Sequence, residues 1–190
     1  RRHAPHPRFR YPLLPMTLQI TETYERLRAS HISRWGIVQT TYPQNIAEHM
    51  WRVWLLCRDW GAAAGMPQHT VRQACEFALV HDLAEIRTGD APTPHKTPEL
   101  KELLAGIEAQ IVPEVAELEA TMAPEARELW KFCDTAEAVL FLKVNGLGAH
   151  AYDVQHLLME QMKRRLMDSV LDVEVQDELM FQFERTIKKT

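Results

Sequence analysis

Apolar positions along the 190-residue chain recur at spacings of three and four, and no stretch sustains the period-two alternation of a strand. The first stripe, Leu18, Ile20, Tyr24, Leu27 and Ile32, predicts a helix over 18–32. Segment 34–45 breaks that pattern and closes on Pro43-Gln44-Asn45. Asn45 with Glu48 three positions on has the form of a capping box; it should open a second helix that runs to about Asp59 and stops at Gly61. A third helix is expected from beyond Thr70 to about Arg87, ended by Gly89. Two prolines keep the loop 89–96 out of a helix, and Thr97 followed by Pro98 then caps the next one.

Further helical segments at about 98–112, 114–121, 124–144, 152–169 and 174–188 are separated by Pro113, Pro124 and the Gly146/Gly148 pair. The last carries Leu179, Met180, Phe181, Phe183 and Ile187 around more than one face. Such a helix is expected to close the bundle or to join subunits of a homo-oligomer. The pattern predicts an all-α single domain of seven or eight helices.

Composition narrows the function. The formal net charge of −4 and pI near 6.1 argue against nucleic acid as a partner, which usually leaves a basic surface. Cys57, Cys75 and Cys133 are odd in number and share no CxxC spacing, which predicts free thiols in a reducing cytoplasm. No apolar run has the length a membrane crossing needs. Residues 1–15 hold four arginines, four prolines and no acid; they are expected to form a disordered extension ahead of a domain covering 16–190.

The candidate chemistry lies in His49, the adjacent pair His81–Asp82, and Asp134, each within a predicted helix. Two imidazoles and two carboxylates suit a divalent ion of borderline hardness such as zinc, cobalt, manganese or iron. Successive helix residues diverge by about 100°, so both members of the pair reach one ion only from a groove between helices. A lone helical histidine is most often an ordinary core or surface residue, and His31, His69, His95, His150 and His156 are read that way. Glu85 follows His81 by four and Asp82 by three, which puts it on their predicted face, where a carboxylate can orient a water and accept its proton. By sequence alone it is as often a surface acid.

The order His49…His81-Asp82…Asp134 resembles the HD-domain metal-dependent phosphohydrolases. Arg34-Trp35…Glu48-His49, with His81-Asp82-Leu83-Ala84-Glu85 and Thr88-Gly89-Asp90-Ala91-Pro92-Thr93-Pro94, resembles their small 5′-deoxynucleotidase branch over about residues 30–140. From Met16 on, the chain closely resembles branch members in cyanophages that act on dATP. The resemblance implies an HD-domain bundle holding Zn²⁺ or Co²⁺, with Mn²⁺ or Mg²⁺ as further candidates and room for more than one ion. It implies His49, His81, Asp82 and Asp134 as ligands, with Asp82 and Glu85 serving catalysis.

The substrate-binding set it implies is Arg34 and Lys96 on phosphate, Trp35 on deoxyribose and Asp90 on the 3′-hydroxyl. A branched Ile37 against the C2 edge of the base would admit adenine and crowd a 2-amino group. The expected activity is cleavage of dATP to deoxyadenosine and triphosphate in the cytoplasm, that of the host for a phage-encoded enzyme. Its alternative is a 5′-deoxynucleotidase acting on monophosphates. Both break the bond between the α-phosphorus and O5′, so the core residues do not separate them. A passive nucleotide-binding module would lack metal-dependent turnover, and the Arg34–Trp35 pair and the 89–94 loop argue against a cyclic-nucleotide phosphodiesterase.

Overall fold

The computed structural model describes residues 18–91 and 97–190. Among these it is all-α, with short turns and two isolated bridges between helices. The order is α1 (Thr23–Arg26), a 3-10 turn (Leu27–His31), α2 (Ile46–Ala63), α3 (Gln68–Ala78), α4 (Glu85–Thr88), α5 (Pro98–Ile111), α6 (Pro113–Thr121), α7 (Pro124–Asn145), α8 (Gly148–Met167) and α9 (Val173–Ile187). Lys96 and residues 1–15 lie outside the described residues.

Helices α2, α3 and α7 pack on one another, α8 covers α7, and α9 lies against α2 and α7. Trp60 of α2 joins the last contact, its ring 6.0 Å from Phe132 and 6.5 Å from Phe183. Phe183 is 1% exposed, and burial of such a ring contributes roughly 1.5–3 kcal/mol. Leu179 and Phe183 thus make α9 the closing element of the bundle.

Three expectations need correction. The stripe over 18–32 forms only one turn of α-helix and a 3-10 turn, with Ile20 drawn into the core by a backbone bond from its N–H to the Ile111 carbonyl. The second helix does not stop at Gly61. A Cβ there would lie 2.8 Å from Leu129 Cδ2 and 2.9 Å from Val71 Cγ2, so Gly61 lets α3 and α7 approach mid-helix. The true stop is a Schellman turn at Gly65, φ +67°, with Met66 N–H on the Gly61 carbonyl and Gly65 N–H on that of Ala62.

The third correction reaches the chemistry. The expected single helix to Arg87 is two, and His81–Asp82 sits in the turn between α3 and α4. Bonds from Val80 to Phe77, Leu83 to Val80 and Glu85 to Asp82 tighten this turn to three-residue spacing while Leu83 and Ala84 are packed into the core. The capping box is half formed. Asn45 Oδ1 accepts from Glu48 N–H at 2.9 Å, but the Glu48 carboxylate turns to Tyr42 and Arg52. Thr97 caps α5 as expected.

Candidate metal centre

His49 projects from the second turn of α2 and is wholly buried. Its Nε2 faces Asp134 Oδ1 of α7 at 3.0 Å and Asp82 Oδ2 at 3.7 Å. His81 leaves the end of α3 and turns back, so that its Nδ1–H donates to the Ala78 carbonyl at 2.9 Å. That leaves Nε2 as the nitrogen a metal would take, buried, 3.3 Å from Asp82 Oδ1 and 3.8 Å from Asp134 Oδ1, with no hydrogen-bond partner among the described residues. Trp130 packs edge-on against the ring, 5.4 Å between centroids, and fixes its other face. One ligand atom each from His49, His81 and Asp82 lie within 4.8 Å of one another. All four residues expected to hold a metal are brought together.

The electrostatics favour a cation. Burial opposes ionisation of Asp82, yet His81, His49 and Arg34 beside it hold its carboxyl below the usual carboxylate range. Burial opposes Asp134 too, and Lys131, whose Nζ donates to Oδ2 at 2.9 Å, with His49 and His81 holds it well below that range. For His49, burial and the Arg34 charge act downward, but Glu137 and Asp134 outweigh them and leave the imidazole raised. A buried imidazole nitrogen with no hydrogen-bond partner among the described residues, set among ionised carboxylates, fits a divalent ion.

Arg34 reaches this cluster from segment 32–45, which a two-way bridge pins to the start of α2: Arg34 N–H to the Gln44 carbonyl at 2.8 Å and Ile46 N–H to that of Ile32 at 3.0 Å. Its Nη1 is 3.8 Å from Asp82 Oδ2, and neither Nε nor Nη1 has a hydrogen-bond partner among the described residues. Burial lowers its pKa, but Asp82, Glu137, Asp134 and Asp90 more than reverse this, so the charge is kept. Trp35 follows in the left-handed region, φ +66°, a conformation that costs a non-glycine residue roughly 1–3 kcal/mol. Asp90 Oδ2 accepts its backbone N–H at 3.3 Å, and its ring stacks on Phe141, 5.7 Å and 2° apart.

These groups open onto a cavity of about 560 Å³ also lined by Ile37, Glu85, Lys131 and the α8 residues Leu157, Leu158 and Met162. That is within the usual size of a small-molecule site. Glu85 is buried at the first turn of α4 and Ile37 is 40% exposed at the rim. The lining thus gathers every expected site residue except the buried His49 and Lys96, which lies outside the described residues.

Two residues escaped the sequence reading. Glu137 and Gln44 are buried, and Glu137 joins His49 to Gln44 and so to Trp35. The available signal for Glu137 was an acid three residues beyond Asp134 within an otherwise apolar run, Ala136–Leu142. For Gln44 there was none, because its role comes from a bridge between segments.

Residues 24–188 match the family described as HD domain. A relative named dATP triphosphohydrolase, from Salmonella phage PMBT28, is 33% identical over 147 residues, covering 74% of this chain and 75% of that one. Two solved structures share the fold. A conserved hypothetical protein from Pyrococcus furiosus is 20% identical, TM-score 0.57, with 88% of this chain and 97% of that one covered. An HD-domain phosphohydrolase from Listeria innocua is 17% identical, TM-score 0.52, with 87% and 96% covered.

Proposed function

The chain belongs to the HD-domain family of phosphohydrolases, and from that premise we propose that it cleaves dATP to deoxyadenosine and triphosphate with a divalent metal, zinc or cobalt. The observation that carries this reading is the buried, unpartnered Nε2 of His81 and the partly unsatisfied, buried guanidinium of Arg34, on either oxygen of Asp82 and lining one cavity. The named activity of the phage relative supports the substrate.

His49, His81, Asp82 and Asp134 would hold the ion. When bound, it supplies a Lewis acid that neutralises charge on the attacked phosphate and eases ionisation of water. Arg34 binds the phosphate chain through the N–H groups that have no hydrogen-bond partner among the described residues, and Lys96 adds a point charge. Glu85 orients the attacking water and takes its proton as the water oxygen bonds to the α-phosphorus and the bond to O5′ breaks, and O5′ takes up a proton from solvent to leave as the 5′-hydroxyl of deoxyadenosine. Trp35, braced on Phe141, is the wall against deoxyribose. A ribose 2′-hydroxyl buried against it without a partner would cost roughly 1–3 kcal/mol. Asp90, with two acceptor oxygens of which Oδ2 takes the Trp35 N–H, receives the 3′-hydroxyl. Ile37 meets the C2 edge of the base.

A metal-replete assay over deoxy- and ribonucleoside tri- and monophosphates, with the released phosphate identified, tests the reading. Deoxyadenosine and triphosphate from dATP are expected. Turnover of dAMP with none of dATP would replace this reading with the monophosphate 5′-deoxynucleotidase.

A further inference from the structure

Glu137 is 3% exposed, lies three residues after Asp134 on α7, and is not among the residues that line the cavity. Its Oε2 accepts the Nδ1–H of His49 at 2.6 Å, and its Oε1 accepts from the Gln44 amide nitrogen at 2.7 Å. Gln44 Oε1 in turn accepts the indole N–H of Trp35 at 2.8 Å. Arg52 Nη1 lies 3.7 Å from Oε1, and the Arg34 charge also acts on this carboxylate.

We propose that Glu137 is a positioning residue for the metal centre and that, with Gln44, it ties the ligand His49 and the pocket wall Trp35 into one hydrogen-bond chain of fixed polarity. The proposal rests on the metal reading above. An indole N–H can only donate, so it holds the Gln44 oxygen toward itself and turns the Gln44 NH₂ toward Glu137. A carboxylate only accepts, so it holds the His49 hydrogen on Nδ1 and leaves Nε2 facing Asp82 and Asp134 as a ligand. Gln44 and His49 are both fully buried, so water is not at hand to repair a reversed link.

The polarity gives a test that a merely structural glutamate would not pass. In Glu137→Gln, an amide oxygen turned to His49 sets two NH₂ groups of residues 44 and 137 against each other. Turned the other way, the amide forces the His49 hydrogen onto Nε2. Exchanging the two side chains, Gln44→Glu with Glu137→Gln, restores every donor to an acceptor at unchanged formal charge.

Co²⁺ titration of the full chain, by calorimetry and by the visible absorption of bound Co²⁺, should show E137Q weakened about ten- to a hundredfold. The exchanged double variant should regain most of that loss. Thermal unfolding of the metal-free proteins identifies the folded variants. E137Q binding Co²⁺ as the wild type does, or a folded double variant with no recovery, overturns the proposal. Nitrogen-15 correlation spectra of zinc-loaded wild type, which need no variant to fold, should place the His49 hydrogen on Nδ1; on Nε2 it overturns the proposal. Wild type that binds no Co²⁺ overturns the metal reading itself.

Discussion

His81 donates its Nδ1 hydrogen to the carbonyl of Ala78 at 2.9 Å, so the last residue of α3 aims the imidazole that follows it. The bond fixes the ring and leaves Nε2 as a buried lone pair beside Asp82 and Asp134. It exists because the helix ends at Ala78 and the chain turns tightly through the His81–Asp82 pair.

Replacing His81 with Ala removes that lone pair while leaving the turn's backbone bonds intact. Loss of Co²⁺ affinity should exceed the roughly hundredfold that outer partners of ligands can cost, with dATP turnover lost as well. Calorimetry and circular dichroism check it; an H81A protein that is folded and binds Co²⁺ normally would remove His81 from the ligand set.

Arg34→Lys keeps the charge but loses the planar fork whose Nε and Nη1 have no hydrogen-bond partner among the described residues. A charge-assisted hydrogen bond contributes roughly 1.5–3 kcal/mol, so kcat/KM for dATP should fall about ten- to a hundredfold. Steady-state kinetics at saturating metal measure the drop, and an unchanged kcat/KM would take Arg34 off the phosphate.

Ile37 stands at the cavity rim, 40% exposed, so its truncation should leave stability within about 0.5 kcal/mol. Ile37→Ala should narrow the preference for dATP over dGTP about tenfold, the worth of a methylene or two against the base edge. The ratio of the two specificity constants decides the matter.

Cys75 is buried beside α2, and burial first, then the neighbouring Cys57, pushes its thiol up to about 12. A raised acid pKa means less thiolate, roughly one thiol in ten thousand at pH 8, where an ordinary cysteine is about a quarter ionised. Native protein should therefore react with a disulfide-exchange reagent on the order of a thousandfold more slowly than the denatured chain. Denatured protein should expose three free thiols. Rapid native labelling of Cys75 would contradict the burial.

Gly61→Ala gains roughly 1 kcal/mol of helix propensity and places a methyl against Val71 and Leu129. Overpacking typically costs 1–3 kcal/mol, and the stiff Val71 gives little way, so net destabilisation of about 1–2 kcal/mol is expected. Denaturant unfolding measures it, and a stabilised variant would show that the α2–α3–α7 contact is loose.

Helix-forming periodicity made most of α2 and α5 to α9 legible, and Asn45 and Thr97 marked their starts because capping is a local interaction. The quartet His49, His81, Asp82 and Asp134 was legible from residue type and order, whereas spacing placed Glu85 on their predicted face and only the family resemblance singled it out. The break after Ala78 was not, since residues 71–88 contain no glycine or proline and keep a helical apolar pattern. Core packing of Leu83 and Ala84 imposes that break.

By itself, the sequence determined an all-α chain, its main caps and the residue types of a candidate metal site, because periodicity, capping and ligand chemistry act within a few residues or through composition. Only the tertiary structure decided that Gly61 is a packing contact rather than a stop, that His81 is aimed by Ala78, and that Glu137 and Gln44 link His49 to Trp35. Each of these depends on the direction of a side chain set by packing against another segment, and hydrogen-bond polarity between segments distant in sequence leaves no local trace.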